Sequence, residues 1–144
     1  MADSTREAAL KALLAALQGI DGVEVYRETT LPQEVPPAGM LVLRDGAPGD
    51  PVDVEVSPPA YSFEHRADVE AFVPPDDQGR HTDLDALLQK VHAAVDADRT
   101  LGGAVEYAEF QGAQTEDFGV EGAPPFKAAI AAVTLAYTTG DPLT

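Results

Sequence analysis

Hydrophobic positions near the N-terminus follow a helical rhythm, with Leu10, Leu13, Leu14 and Leu17 sharing one face. Ala8, Ala9, Ala12, Ala15 and Ala16 fill the positions between them and favour helix. Ser4 stands three residues before Glu7, the spacing of a capping box, and Gly19 or Gly22 ends the run. The pattern predicts a helix over residues 5–18.

The rhythm then shifts to period two. Val23-Glu24-Val25-Tyr26-Arg27 alternates as a strand does. Three prolines between Leu31 and Gly39 (Pro32, Pro36 and Pro37) deny both helix and ladder hydrogen bonds, so a loop over 29–39 follows. Met40-Leu41-Val42-Leu43-Arg44 predicts a short apolar strand, and Asp45-Gly46-Ala47-Pro48-Gly49-Asp50-Pro51 is turn chemistry. Val52-Asp53-Val54-Glu55-Val56 alternates again.

The longest alternation covers residues 61–73. Tyr61, Phe63, His65, Ala67, Val69, Ala71 and Val73 fall on one face, and Ser62, Glu64, Arg66, Asp68 and Glu70 on the other. That is the signature of a sheet wet on one side. After a polar loop at 74–81, Thr82 with Asp85 opens a second helix that ends near Asp98. Its buried stripe is Leu84, Leu87, Leu88, Val91 and Val95. Residues 105–111 predict a strand and 112–125 a loop. A long strand over 126–139 follows, with the alanine cluster Ala128, Ala129, Ala131, Ala132 and Ala136 leaving helix as its alternative. The sum is one α+β domain over residues 1–144: a mostly antiparallel sheet of five to six strands with two helices packed on one face.

Composition narrows the function classes. With 144 residues and 44% hydrophobic content the chain can bury a core without staples. Cysteine is absent, which excludes disulfides, thiolate metal sites and cysteine nucleophiles. The N-terminus lacks a basic region followed by an apolar run, and no apolar stretch approaches a membrane span, so a soluble protein is expected. Twenty-five acids against nine bases give a net charge of −16, which disfavours tight binding to a phosphate backbone. The same charge suits either plain solubility or a channel through which DNA slides without sticking.

Candidate chemistry is thin. There is no phosphate-cradling glycine loop, G-x-S-x-G elbow or H-E-x-x-H helix. His65 on the apolar face reads as a buried or interface histidine, and His92 as partly buried beside the second helix's stripe. His81 with Asp83 and Asp85 reads as helix-start chemistry before a metal set. Asp76 and Asp77 are adjacent in a loop, and Ser4, Ser57 and Ser62 have no motif around them. No enzyme activity, cofactor or metal is expected; an acidic pocket around His65 or His81 is the competing idea. The positive feature is strand length: 61–73 and 126–139 would each span about 40 Å, enough to project past a small core unless a bulge bends them.

The chain resembles the tail terminator proteins of long-tailed phages and gene transfer agents. The likeness is carried by Leu41-Val42-Leu43-Arg44-Asp45-Gly46 with Pro48-Gly49, and by the stretch from Ser57-Pro58-Pro59-Ala60 through His65-Arg66-Ala67-Asp68-Val69-Glu70. It continues in Ala97-Asp98-Arg99-Thr100-Leu101-Gly102-Gly103, Val120-Glu121-Gly122 and Thr138-Thr139-Gly140-Asp141-Pro142-Leu143, in order across residues 8–144. The resemblance implies a non-enzymatic subunit of a hexameric ring that caps the head-proximal end of the tail tube and stops its polymerisation. It also implies neck or head-tail connector partners, DNA passing through the bore, and a place at the tail-neck junction of a particle assembled in the host cytoplasm. Another neck or tail-completion component is the nearest alternative. Interface candidates are Pro36, Pro37, Tyr61, Phe63, His65, Phe118 and Tyr137, with loops 29–39, 74–81 and 112–125 docking on tube or neck.

Overall fold

The computed structural model describes residues 2–30, 35–74, 80–118 and 126–144. Loops 29–39, 74–81 and 112–125 therefore lie partly outside the described residues. In chain order the elements are α1 (Thr5–Gln18), β1 (Glu24–Arg27), β2 (Met40–Ala47), β3 (Asp53–Val56) and β4 (Pro59–Val73). Then come α2 (Arg80–Asp96), a 3₁₀ turn at Leu101–Gly103, β5 (Tyr107–Phe110), β6 (Gln114–Phe118) and β7 (Phe126–Thr139). All lie in one α+β fold with a seven-stranded, mostly antiparallel sheet.

β4 and β7 form its centre. They pair antiparallel through thirteen consecutive positions, from Tyr61 opposite Thr139 to Val73 opposite Lys127. No bulge interrupts this pair, so the two strands run straight alongside each other for their full common length. Residues 126–139 are strand, because each alanine there meets a cross-strand partner on β4.

Each long strand is flanked on its outer edge by two short ones in succession. β2 covers 66–72 of β4 and β3 covers 59–62. β6 covers 126–130 of β7 and β5 covers 133–136. β2 and β3 are thus one strand interrupted by Pro48-Gly49-Asp50-Pro51, where two prolines cannot donate to a ladder. β5 and β6 are one strand interrupted at 111–113, although Gln111 N–H still reaches the Ala132 carbonyl at 2.8 Å. The seventh strand, beyond the five to six the pattern predicts, is β6, which lies in the predicted loop 112–125. β1 closes the far edge parallel to β2.

Both helices pack on the face that carries the odd-numbered residues of β4 and β7. α1 buries Ala9, Leu10, Leu13 and Leu17, and α2 buries Leu84, Leu87, Val91 and Val95 against Leu43, Ala67, Val69, Val133 and Leu135. Fully burying each leucine contributes about 1.5–3 kcal/mol, so the helix stripes dominate the core. α1 begins where expected, with Ser4 Oγ accepting from Glu7 N–H at 3.1 Å. α2 starts at Arg80, two residues before the predicted Thr82. The opposite face has a smaller apolar cluster of Met40, Val42, Phe72 and Ala128, with Val35 packed against it.

β2 carries the one register shift of its ladder. Arg44 faces Asp68 and Ala47 faces Arg66, so Asp45 and Gly46 together oppose Ala67. This bulge depends on Gly46, whose φ is 64°. A Cβ there would fall 1.8 Å from the Arg66 carbonyl oxygen, a rigid backbone atom. Gly46→Ala is therefore expected to cost at least about 2 kcal/mol through strain and loss of the bulge. A urea titration of the variant would measure it, and an unchanged midpoint would mean the bulge does not govern stability.

Candidate functional site

Three of the interface candidates occupy the chain's own interior. Phe63, His65 and Tyr137 are 4%, 1% and 4% exposed, and the Phe63 and Tyr137 rings lie 5.8 Å apart. A neighbouring molecule cannot reach them while the sheet is intact. Tyr61 and Pro36 are half-buried and Pro37 is exposed, so these keep surface to offer. Phe118 ends β6, a strand where the sequence pattern predicts a loop, and its side chain lies outside the described residues.

His65 holds the bulge. Its Nε2 lies 2.5 Å from the Asp45 carbonyl oxygen, which only accepts, so Nε2 carries the proton. Nδ1 is then bare and accepts from the Tyr137 hydroxyl at 2.9 Å. Burial pushes the His65 pKa below the ordinary histidine range, against the pull of the Asp45 carbonyl and with Arg6 adding repulsion. Burial likewise raises the Tyr137 hydroxyl. With both ring nitrogens engaged and almost no exposure, His65 has the geometry of a neutral structural lock.

The same bulge anchors a chain of ion pairs. Arg27 on β1 donates Nε and Nη2 to the Asp45 carboxylate at 2.7 and 2.9 Å. Its Nη1 and Nη2 also reach the Glu7 carboxylate on α1 at 2.7 and 2.8 Å. Glu7 thus turns to Arg27, and only the Ser4 half of the capping box forms. Hydrogen bonding to Arg27 lowers the Glu7 pKa, and the two carboxylates raise that of Arg27. On the opposite face Arg44 Nε binds Glu70 at 2.8 Å, while Glu28 accepts from Asp45 N–H at 2.7 Å. One carboxylate, one carbonyl and one amide of Asp45 therefore tie α1, β1 and β4 to the bulge. Sequence patterning read these residues only as turn chemistry.

Elsewhere the predicted chemistry does not converge. His92 is exposed on α2, against the expectation of partial burial. It borders two shallow grooves of about 210 Å³ each, shared with Val95, Arg99, Phe110 and Leu88. Both are below the ~300 Å³ at which small-ligand pockets begin. Ser62 Oγ pairs with Thr138 Oγ1 at 2.9 Å, a cross-strand contact. The side chain of His81, and Asp76 and Asp77, lie outside the described residues. Among the described residues no three His, Asp or Glu side chains cluster as a metal site, and no helix is long and apolar enough to cross a membrane.

The surface feature that patterning missed is the β3–β4 hairpin. Every residue from 52 to 59 is exposed. Val52, Val54 and Val56 are 60%, 47% and 85% exposed and share one face, with Val54 opposite Tyr61. Asp53 and Glu55 occupy the other face, opposite Ser62 and Ala60. The alternation of 52–56 correctly indicated a strand, but it could not say that no helix covers its apolar side. No protein-family model matches the chain, and no curated protein matches it.

The His65 lock makes stability depend on pH. A histidine whose folded pKa is depressed stabilises fully above its unfolded value, about 6.5, and the contribution is lost as pH falls below it. Stability is expected to drop by up to about 1.4 kcal/mol per pH unit below about 6.5, until the folded pKa is reached. Urea midpoints between pH 8 and 5 would follow this, and His65→Gln should flatten that part of the slope. An identical slope in the variant would assign the effect to other groups.

Proposed function

We propose that this chain is a structural assembly protein of the tail-terminator kind. It forms a ring on the head-proximal end of a tail tube, ends tube polymerisation and joins the tail to the neck. The observation that carries the reading is the exposed, valine-faced β3–β4 arm mounted on the thirteen-pair β4–β7 rail. An apolar face held in water on a rigid support suits docking to another protein. Two helices on one face of a mostly antiparallel sheet agree with the layout the resemblance implies.

Ring closure needs two different, mutually complementary faces on each subunit. The helix layer, the helix-free sheet face and the two sheet edges are all non-equivalent, so such a pair is available. Tyr61, Pro36 and Pro37 are the sequence candidates with surface left for it. An acidic ring, at −16 per subunit, would repel a phosphate backbone and let DNA pass without binding. No catalytic step is part of this role.

Native mass spectrometry and negative-stain microscopy test it, on the protein alone and mixed with polymerising tail-tube protein from the same genome. A ring of six copies is expected, alone or on the tube, together with tubes that stop growing at the end bearing it. A monomer in both settings would defeat the ring. A ring that leaves tube growth unchanged would instead make the protein another neck component.

A further inference from the structure

β3 pairs with β4 alone among the described residues, so its outer backbone edge is open. Open edges accept a further strand, with backbone hydrogen bonds supplying affinity and alternate side chains supplying selectivity. Here the two sets of side chains are sharply different. Val52, Val54 and Val56 ask for apolar neighbours, while Asp53 and Glu55, on the same sheet face as Glu64 of β4, ask for cations. Arg66 is the one base further along that face of β4.

A second copy of the chain does not meet this demand. β3 against β3 would set Asp53 and Glu55 beside like charges, which is destabilising across strands. The other free edges do not supply it either: β1 (Glu-Val-Tyr-Arg) sets one acid against a single base already held by Glu7 and Asp45, and β5 (Tyr-Ala-Glu-Phe) and β6 (Gln-Thr-Glu-Asp-Phe) are acidic. No strand of the chain has more than one lysine or arginine. We infer that β3 receives an extended segment of a different protein, one that alternates basic and apolar residues and adds to the sheet as an eighth strand. Its apolar side chains lie over the valines, and its lysines or arginines lie beside Asp53 and Glu55. The acids have a double effect: they keep copies from pairing edge to edge and select a cationic partner. This deepens the assembly reading by naming what the arm takes hold of. The two can fail separately, since ring formation is read by mass and strand capture by residue-level binding.

The probe is a capped heptapeptide alternating lysine and valine, titrated into the full-length protein at moderate salt and followed by amide NMR. Two controls are a scrambled peptide with its lysines in one block and a peptide with glutamate in place of lysine. Shifts confined to 52–62, with new exchange protection on β3 amides, are expected for the alternating peptide. The scrambled peptide should bind at least about 10-fold more weakly, since only alternation satisfies both faces. Asp53→Lys with Glu55→Lys, both at exposed positions, should keep the melting temperature, weaken the basic peptide by about 10-fold and favour the glutamate peptide. Three results would overturn the inference: no binding, equal binding of the scrambled peptide, or shifts spread over the acidic surface. Concentration-dependent self-association abolished by Val54→Pro would also overturn it, by giving the edge to a second copy.

Discussion

Two strands of fourteen and fifteen residues, paired over thirteen positions, set the terms for everything else in this fold. Neighbours of four to eight residues cannot satisfy such strands alone. An unpaired backbone edge inside a core would leave polar groups without partners, each costing about 1–3 kcal/mol. The solution on each side is two short strands end to end, with the break at prolines on one side and near Gly112 on the other. On the β4 side the Asp45–Gly46 bulge lies in β2 just before that break. The bulge turns an otherwise lateral carbonyl toward His65 and places the Asp45 carboxylate against Arg27. Register, histidine tautomer and the α1 tether therefore follow from one requirement, that β4 be covered along its length.

Local pattern revealed the elements whose side chains repeat with a clear period. α1, β2, β3, β4, α2 and β7 emerge from alternation or helical spacing, because one face of each is apolar or, in β2, all of it is. β6 did not, because Gln-Thr-Glu-Asp-Phe has no apolar face and becomes a strand only by pairing with β7. The parallel placement of β1 beside β2 was equally hidden, since alternation indicates a strand but not its neighbour. The candidate site was less legible still. Aromatic residues and a histidine on the long strands resembled interface anchors, yet Phe63, His65 and Tyr137 fill the space beneath the helices. Val52, Val54 and Val56 of β3 alternate in the same way, yet they are exposed. Both outcomes have one source: period two identifies a face, and only tertiary packing decides whether a helix covers it.

The charge distribution connects fold to assembly. Three of the nine bases are held in ion pairs among the described residues: Arg27 with Glu7 and Asp45, Arg44 with Glu70, Lys11 with Asp3. Pairing consumes cations and leaves the surplus of acids at the surface. Exposed pairs contribute only about 0–1 kcal/mol each, so the acids are not there chiefly for stability. Their effect is on encounters, because an acidic surface slows approach of like surfaces and speeds approach of cationic ones.

That consideration bears on how a ring of such subunits could form. In the proposed ring, six copies at −16 each would repel one another at long range, with the repulsion decaying over about 8 Å at physiological salt. Closure must then rest on short-range apolar and hydrogen-bonded contacts, or on a cationic partner that neutralises part of the charge. A subunit that stays monomeric until it meets its partner follows from the second case. In the proposal made above, the acids of β3 would place such a partner at the arm, where the apolar face is already in water and the backbone edge already open. Assembly would then be gated by the presence of the structure to be capped, and free subunits would be kept from joining one another beforehand.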